Sequence, residues 1–330
     1  MKKTVYLLFW CWLLGGTAVA QRVDFPRDTS FTVVSAFKNI KKQYPIVKPV
    51  LPKLPAGVKS KENIVYRSLG QRALHLDVFY PAKKTTKGYP GVLLIHGGGW
   101  RAGDKSMEWP MAQQLAAQGY IAVTAEYRLS LEAPYPAAVH DLKAALRWLR
   151  AHGQDYNLDT SKIAIYGTSA GGQLAALVGT TNGSGMLEEQ GEYRSRSNKV
   201  QAIVDVDGVL AFKHPESKEG TVAAQWLGGT SEEAPDTWAQ ASALTHTGKN
   251  TPPVLFIASS HLRFHAGKAD MIKILESHGI YYESYLIPDT PHTFWLFEPW
   301  FKPTLQYTVN FLNKVFKGKP LATSEKNKTK

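Results

Sequence analysis

One stretch constrains the fold more than any other: Ile163-Ala164-Ile165-Tyr166 runs directly into Gly167-Thr168-Ser169-Ala170-Gly171. Four apolar residues predict a buried strand, and Gln173-Leu174-Ala175-Ala176-Leu177-Val178 beyond the serine reads as a helix. A strand–turn–helix around Gly-x-Ser-x-Gly is the setting that lifts a serine hydroxyl out of a sharp turn. Such a turn leaves no room for bulk on either side of the serine, a condition that Gly167 and Gly171 meet. A glycine-rich helix start that packs closely, or cradles a phosphate, carries the same local pattern. The rest of the chain decides between these readings.

Similar apolar runs recur at 64–68, 74–80, 92–95, 121–125, 202–204, 254–257 and 281–287. Helical spacing or composition marks about 107–118, 137–152, 267–278 and 303–316 between and after them. Strands alternating with helices predict an α/β fold, with a mostly parallel central sheet and helices on both faces. In such a sheet the turns after Ile95, Tyr166, Ile257 and Ile287 share one edge. Residues 208–247 show no clean period and read as a small cap insertion. Residues 21–61 are dense in Pro and Lys, which predicts an extended N-terminal arm ahead of a domain over 62–317. The basic tail, 318–330, reads as disordered.

The first twenty residues stand apart. Lys2 and Lys3 precede an apolar run over 5–14 that is too short to span a bilayer, and Ala18-Val19-Ala20 follows. This is the pattern of a cleaved signal peptide, with a mature start near Gln21 and a periplasmic or secreted bacterial destination. The single cysteine, Cys11, falls inside that run, so the mature chain would hold neither disulfide nor thiol nucleophile. Loss of Lys2 and Lys3 lowers the formal charge from +12 to +10, and the excess is concentrated over 38–61 and 314–330. A positive exported protein is placed to meet polyanions such as pectin. No nucleic-acid motif is present, and no membrane association is expected once the signal is removed.

Two constellations give Ser169 its meaning. His96-Gly97-Gly98-Gly99-Trp100 follows the strand at 92–95. Acyl transfer to a serine creates an oxyanion that needs backbone N–H donors, and bare glycines leave those donors unscreened. Gly98 and Gly99, with the amide of Ala170, are the candidate oxyanion hole. His292, just past the final strand, supplies an imidazole that titrates near neutrality at the same sheet edge. Serine first and histidine last is the chain order this chemistry takes on such sheets.

Taken together, His96-Gly97-Gly98-Gly99-Trp100, Tyr127-Arg128-Leu129 with Ala133-Pro134-Tyr135-Pro136-Ala137-Ala138, and Gly167-Thr168-Ser169-Ala170-Gly171-Gly172 resemble the α/β-hydrolase superfamily. Within it, the chain is similar to the acetyl-esterase/lipase branch near bacterial feruloyl- and acetyl-xylan-esterase-like carbohydrate esterases. The resemblance covers most of 62–316. It implies ester hydrolysis by a Ser–His–acid triad with no metal and no organic cofactor. It also matches Asp141 to a position that is structural in such enzymes. One part of the pattern is missing. The family's acid follows the strand that here is 254–257, yet the loop Ala258-Ser259-Ser260-His261-Leu262-Arg263-Phe264-His265 holds no carboxylate. Asp270, in the first turn of the next helix, is the candidate acid; Asp205 and Asp207 after the preceding strand are the alternatives. Arg263 and His265 either point into the cleft or brace their loop, and Trp100 and Trp295 offer flat faces for a sugar or an aromatic acyl group.

The expectation is an exported serine esterase removing ester substituents, O-acetyl before methyl or feruloyl, from a plant-type polysaccharide. A lipase or peptidase using the same site, and a glycan-binding hydrolase relative lacking its acid, are the alternatives.

Overall fold

The computed structural model describes residues 25–318. The signal peptide expected over 1–20 lies outside the described residues, as does all of the expected tail after Gly318.

The chain opens with helix α1 (Val33–Ile40) and a two-residue strand β1 (Lys48–Pro49), then a long hairpin of β2 (Val58–Leu69) and β3 (Arg72–Pro81). Strand β4 (Tyr89–Ile95), helix α2 (Trp109–Ala117), strand β5 (Ile121–Ala125) and helix α3 (Ala137–Ala151) follow. Strand β6 (Leu158–Thr168) leads into α4 (Ala170–Thr180), and β7 (Ala202–Val206) precedes two short helices, α5 (Thr221–Leu227) and α6 (Pro235–Ala241). The chain continues as β8 (Val254–Ala258), α7 (Lys268–Ser277), β9 (Tyr282–Leu286), β10 (Phe297–Glu298) and α8 (Phe301–Lys317).

Among the described residues eight strands form one sheet in the order β2-β3-β5-β4-β6-β7-β8-β9. From β5 through β9 neighbouring strands run parallel, while the pairs β2–β3 and β3–β5 are antiparallel. The unbroken apolar runs are buried on both faces, as a parallel sheet between helices requires. One face packs on α3, α4 and the 208–247 insertion. The other packs on α1, α2 and α8.

The expected extended arm is a correction. Thr32 and Ser35 form a reciprocal capping box that starts α1, and Ala36 from that helix is buried. No proline falls between Pro26 and Pro45, so nothing breaks a helix there. Strand β2 begins at Val58, inside the segment expected to be an arm, because Lys59, Lys61 and Glu62 face outward while Val58 and Tyr66 are buried. In the insertion, Trp226 and Trp238 are buried, and only Val209, Glu219 and Val222 from it reach the cavity described next.

Candidate active site

Ser169 sits between β6 and α4 at φ 53° and ψ −120°, a strained backbone for a residue with a side chain. That conformation is held from both sides. Its N–H donates to the Val206 carbonyl at 2.8 Å, and its own carbonyl accepts from Gln173 N–H at 3.0 Å. A Cβ at Gly171 would strike the Ile95 carbonyl, so the helix can approach β4 only as glycine.

Ser169 Oγ lies 2.8 Å from His292 Nε2. On the other side of the ring, His292 Nδ1 lies 2.9 Å from Asp207 Oδ2. Asp207 is the residue just past β7, at φ 53°, and its side chain is fully buried. The backbone N–H of Ser259 donates to its second oxygen, Oδ1, at 2.8 Å. The buried carboxylate therefore has a partner on each oxygen, and His292 is set with Nδ1 toward the acid and Nε2 toward the serine. Phe264 stacks on the imidazole, with centroids 3.3 Å apart and 12° between the planes, and Trp295 meets it edge-on at 5.2 Å. Burial lowers the His292 pKa below 6.5, partly offset by Asp207, so the ring is neutral around pH 7 and able to accept a proton.

Asp270, expected as the acid, is not the carboxylate on His292. It lies on the outer side of α7, where it bonds His214 Nε2 at 3.1 Å and Lys273 Nζ at 2.8 Å. Its place in the first helical turn is the electrostatic one available to any exposed acid. Asp205 is not the partner of His292 either, since Asp207 occupies Nδ1; burial, with Asp207 beside it, pushes the Asp205 carboxyl well above the usual range. Its Oδ1 accepts from Gly208 N–H at 3.0 Å and secures the turn that aims Asp207.

A cavity of about 340 Å³ opens over this trio. Gly98, Gly99 and Ala170 line it together with Ser169, His292 and Asp207. Gly98 and Gly99 have φ of 130° and 59°, and a Cβ at Gly98 would strike the Ala102 carbonyl. Beneath the loop His96 is buried, its Nδ1 2.8 Å from the Gly97 carbonyl and its ring stacked on Tyr127. Burial keeps His96 neutral, so it serves as a prop for the loop.

The four expected substrate contacts divide. Arg263 lines the cavity, paired with Glu219 at 3.4 Å, and Trp295 lines it while only 4% exposed. Trp100 borders it too, but its indole is only 3% exposed, stacked 5.0 Å from Trp226 and bonded to Gln173 at 2.9 Å. It fastens the insertion to the glycine loop and offers no open face. His265 is absent from the cavity lining; it is buried, 3.2 Å from the Ser259 carbonyl, and braces the loop after β8. Sequence reasoning did not single out Phe264, Glu219, or the arm residues Asp28, Ser30 and Phe31, all of which line the cavity. Among the described residues no group of three His, Cys, Asp or Glu is placed to hold a metal.

Residues 76–263 match the BD-FAE family model, a span that contains the glycine loop, Ser169 and Asp207. The chain belongs to the BD-FAE family. Among curated relatives it is similar to the probable carboxylic ester hydrolase LipM of Mycobacterium tuberculosis, 29% identical over 244 residues, covering 70% of this chain and 56% of that protein. It is also similar to the esterase LipC of the same organism, 28% identical over 56% of this chain and 47% of that one. The chain thus spans about half the length of the curated relatives it matches. Among solved structures, a truncated carbohydrate esterase from gut microbiota superposes with a TM-score of 0.67 at 25% identity, over 81% of this chain and all of that one. The fold shared with this member of the BD-FAE family is the α/β-hydrolase fold.

Proposed function

We propose that the chain is a serine esterase that removes O-acetyl groups from a plant-type polysaccharide through an acyl-enzyme. The hydrogen-bonded series Asp207–His292–Ser169, open to a cavity beside Gly98, Gly99 and Ala170, is the observation that carries this reading. Ser169 Oγ attacks the ester carbonyl as His292 Nε2 takes its proton. Asp207 steadies the imidazolium that forms, and the three amides receive the charge on the carbonyl oxygen. His292 then protonates the departing alcohol, and water repeats the sequence on the acyl-enzyme. Neither metal nor organic cofactor takes part in this scheme. A glycan-binding protein without turnover loses its main argument, since that argument was a missing acid and Asp207 stands in the acid's place.

A specific observation favours a second ester. Phe31 and Phe264 give the cavity an aromatic lining, and about 340 Å³ is ample for a hydroxycinnamoyl group such as feruloyl. The solved neighbour titled a carbohydrate esterase supports a glycan as the alcohol in either case. Export, with a periplasmic or secreted destination, is part of the same proposal and rests on residues 1–20.

The deciding experiment incubates the protein with acetylated xylan, feruloylated arabinoxylan and acetylated, methylated pectin, and measures acetate, ferulate and methanol. Acetate in excess of the other two supports the acetyl reading, and ferulate in excess supports the second. Release that persists in Ser169→Ala refutes the assigned nucleophile. Faster turnover of long-chain acyl esters or of peptides would point to a lipase or a peptidase.

A further inference from the structure

The acyl-transfer steps above make no use of the segment ahead of α1, which lines part of the cavity. We propose that residues Arg27–Phe31 form a fixed strap that sets the size of ester the site accepts, with Phe31 as its specificity-determining residue. This inference rests on the esterase reading.

The strap is fastened to residues 101–103, directly after the glycine loop. Arg27 Nη2 donates to the Gly103 carbonyl at 2.9 Å. Asp28 N–H donates to the Arg101 carbonyl at 3.2 Å, its carboxylate meets Arg101 Nε at 2.8 Å, and it pairs with Ala102 as an isolated parallel bridge. Upstream, Phe25 lies under the Arg72 guanidinium, 5.3 Å from the ring centre. Downstream, Thr32 caps α1, which is packed on the same hydrophobic layer as Trp295. A short run held at both ends cannot swing aside without releasing those contacts.

What it presents to the cavity is Asp28, Ser30 and Phe31. The backbone of Asp28 and its ion pair are consumed in the fastening, and Ser30 is small, so Phe31 supplies the bulk. Its ring is half-buried against the Trp295 layer. The 208–247 insertion lines the same cavity through Val209 and Val222. An ester entering the cavity therefore meets side chains from an element before the first strand as well as from one after the seventh. Because the strap is bonded to 101–103, its distance from the oxyanion glycines is fixed, as a size limit requires.

The test uses the full chain with Phe31→Ala, Phe31→Leu, Phe31→Trp and Ser30→Trp. kcat/KM is measured on p-nitrophenyl acetate, butyrate and octanoate to vary the acyl group, and on methyl and 1-naphthyl acetate to vary the alcohol. Phe31→Ala is expected to raise the bulky-to-small ratio about tenfold in one of the two series. Phe31→Leu should fall between it and wild type, and both Trp variants should lower the ratio. Ser30 is exposed, so its variant carries the test if Phe31→Ala does not fold. Ratios within about twofold of wild type in every folded variant would overturn the strap while leaving the esterase standing. A wild-type protein inert on all five esters would sink the esterase reading and this inference together.

Discussion

Replacing Asp207 by Asn, alongside Asp270 by Asn, separates the two carboxylates that the sequence left open. In the structure Asp207 is buried and accepts from Ser259 N–H through one oxygen, while the other meets His292 Nδ1 at 2.9 Å. An Asn side chain fits the same space, and its carbonyl oxygen can keep the Ser259 bond. Its NH2 would then face Nδ1 as a donor, which favours the tautomer with the proton on Nε2. A protonated Nε2 cannot take the proton from Ser169 Oγ, 2.8 Å away. The loss in kcat from such an inversion is on the order of 10⁴, or roughly 5 kcal/mol of barrier. Asp270 is tied to His214 and Lys273 on the outer side of α7, so its Asn variant should stay within about twofold of wild type. The assay is steady-state hydrolysis of p-nitrophenyl acetate, with melting curves to confirm that both variants fold. A folded Asp207→Asn enzyme that keeps more than about a tenth of wild-type kcat would refute the assignment, as would a collapse of activity in Asp270→Asn.

The pH profile offers an independent check. His292 must be neutral to act as a base, and burial depresses its pKa below 6.5, so kcat/KM should fall only as pH drops through that lowered value. An acid limb centred above about pH 7 would contradict the buried geometry. Glu108 bears on stability. It is buried, accepts from Thr168 Oγ1 at 2.8 Å, and burial pushes its pKa from 4.5 up to about 8. The folded state therefore favours the protonated acid, whose stability is fully present below 4.5 and lost as pH rises through about 8. At about 1.4 kcal/mol per pH unit that loss approaches roughly 5 kcal/mol as an upper limit. Glu108→Gln keeps the acceptor for Thr168 and should flatten the dependence; a stability difference between pH 5 and pH 9, from urea unfolding, that is equal in both proteins would count against it.

Much of this site could be read without coordinates because its parts obey local rules. The strands at 92–95, 163–166 and 254–257 announce themselves as unbroken apolar runs, since a parallel strand is buried on both faces. Each chemical motif lies just beyond a strand end, and the order of Ser169 and His292 follows from the sheet. Asp207 was harder. Spacing within a family selects a loop, whereas the carboxylate that reaches His292 is selected by three-dimensional distance, and no sequence rule measures that. One signal was present: Asp207 precedes Gly208 directly after a buried strand, and aspartate is among the few side chains that tolerate a positive φ. The arm misled for another reason. Its prolines are counted easily, but they cluster after residue 44, and the capping pair Thr32 and Ser35 occupies the stretch they leave free. Strand β2 was shortened because Lys59, Lys61 and Glu62 hide the pattern of an edge strand whose outer face meets water.

The bond from Ser259 N–H to Asp207 has a consequence for how such sites can diverge. The loop after β8, where the resemblance places the acid, offers the acid a backbone donor here, and the carboxylate itself stands on the neighbouring strand end. Strands β7 and β8 pair in parallel, with Val206 beside Ile257, so their ends deliver side chains to adjoining points. A donor that does not depend on side-chain identity can receive a carboxylate from next door. In this chain the strand end beside the expected one therefore carries the acid, and the backbone of the expected loop holds it in place.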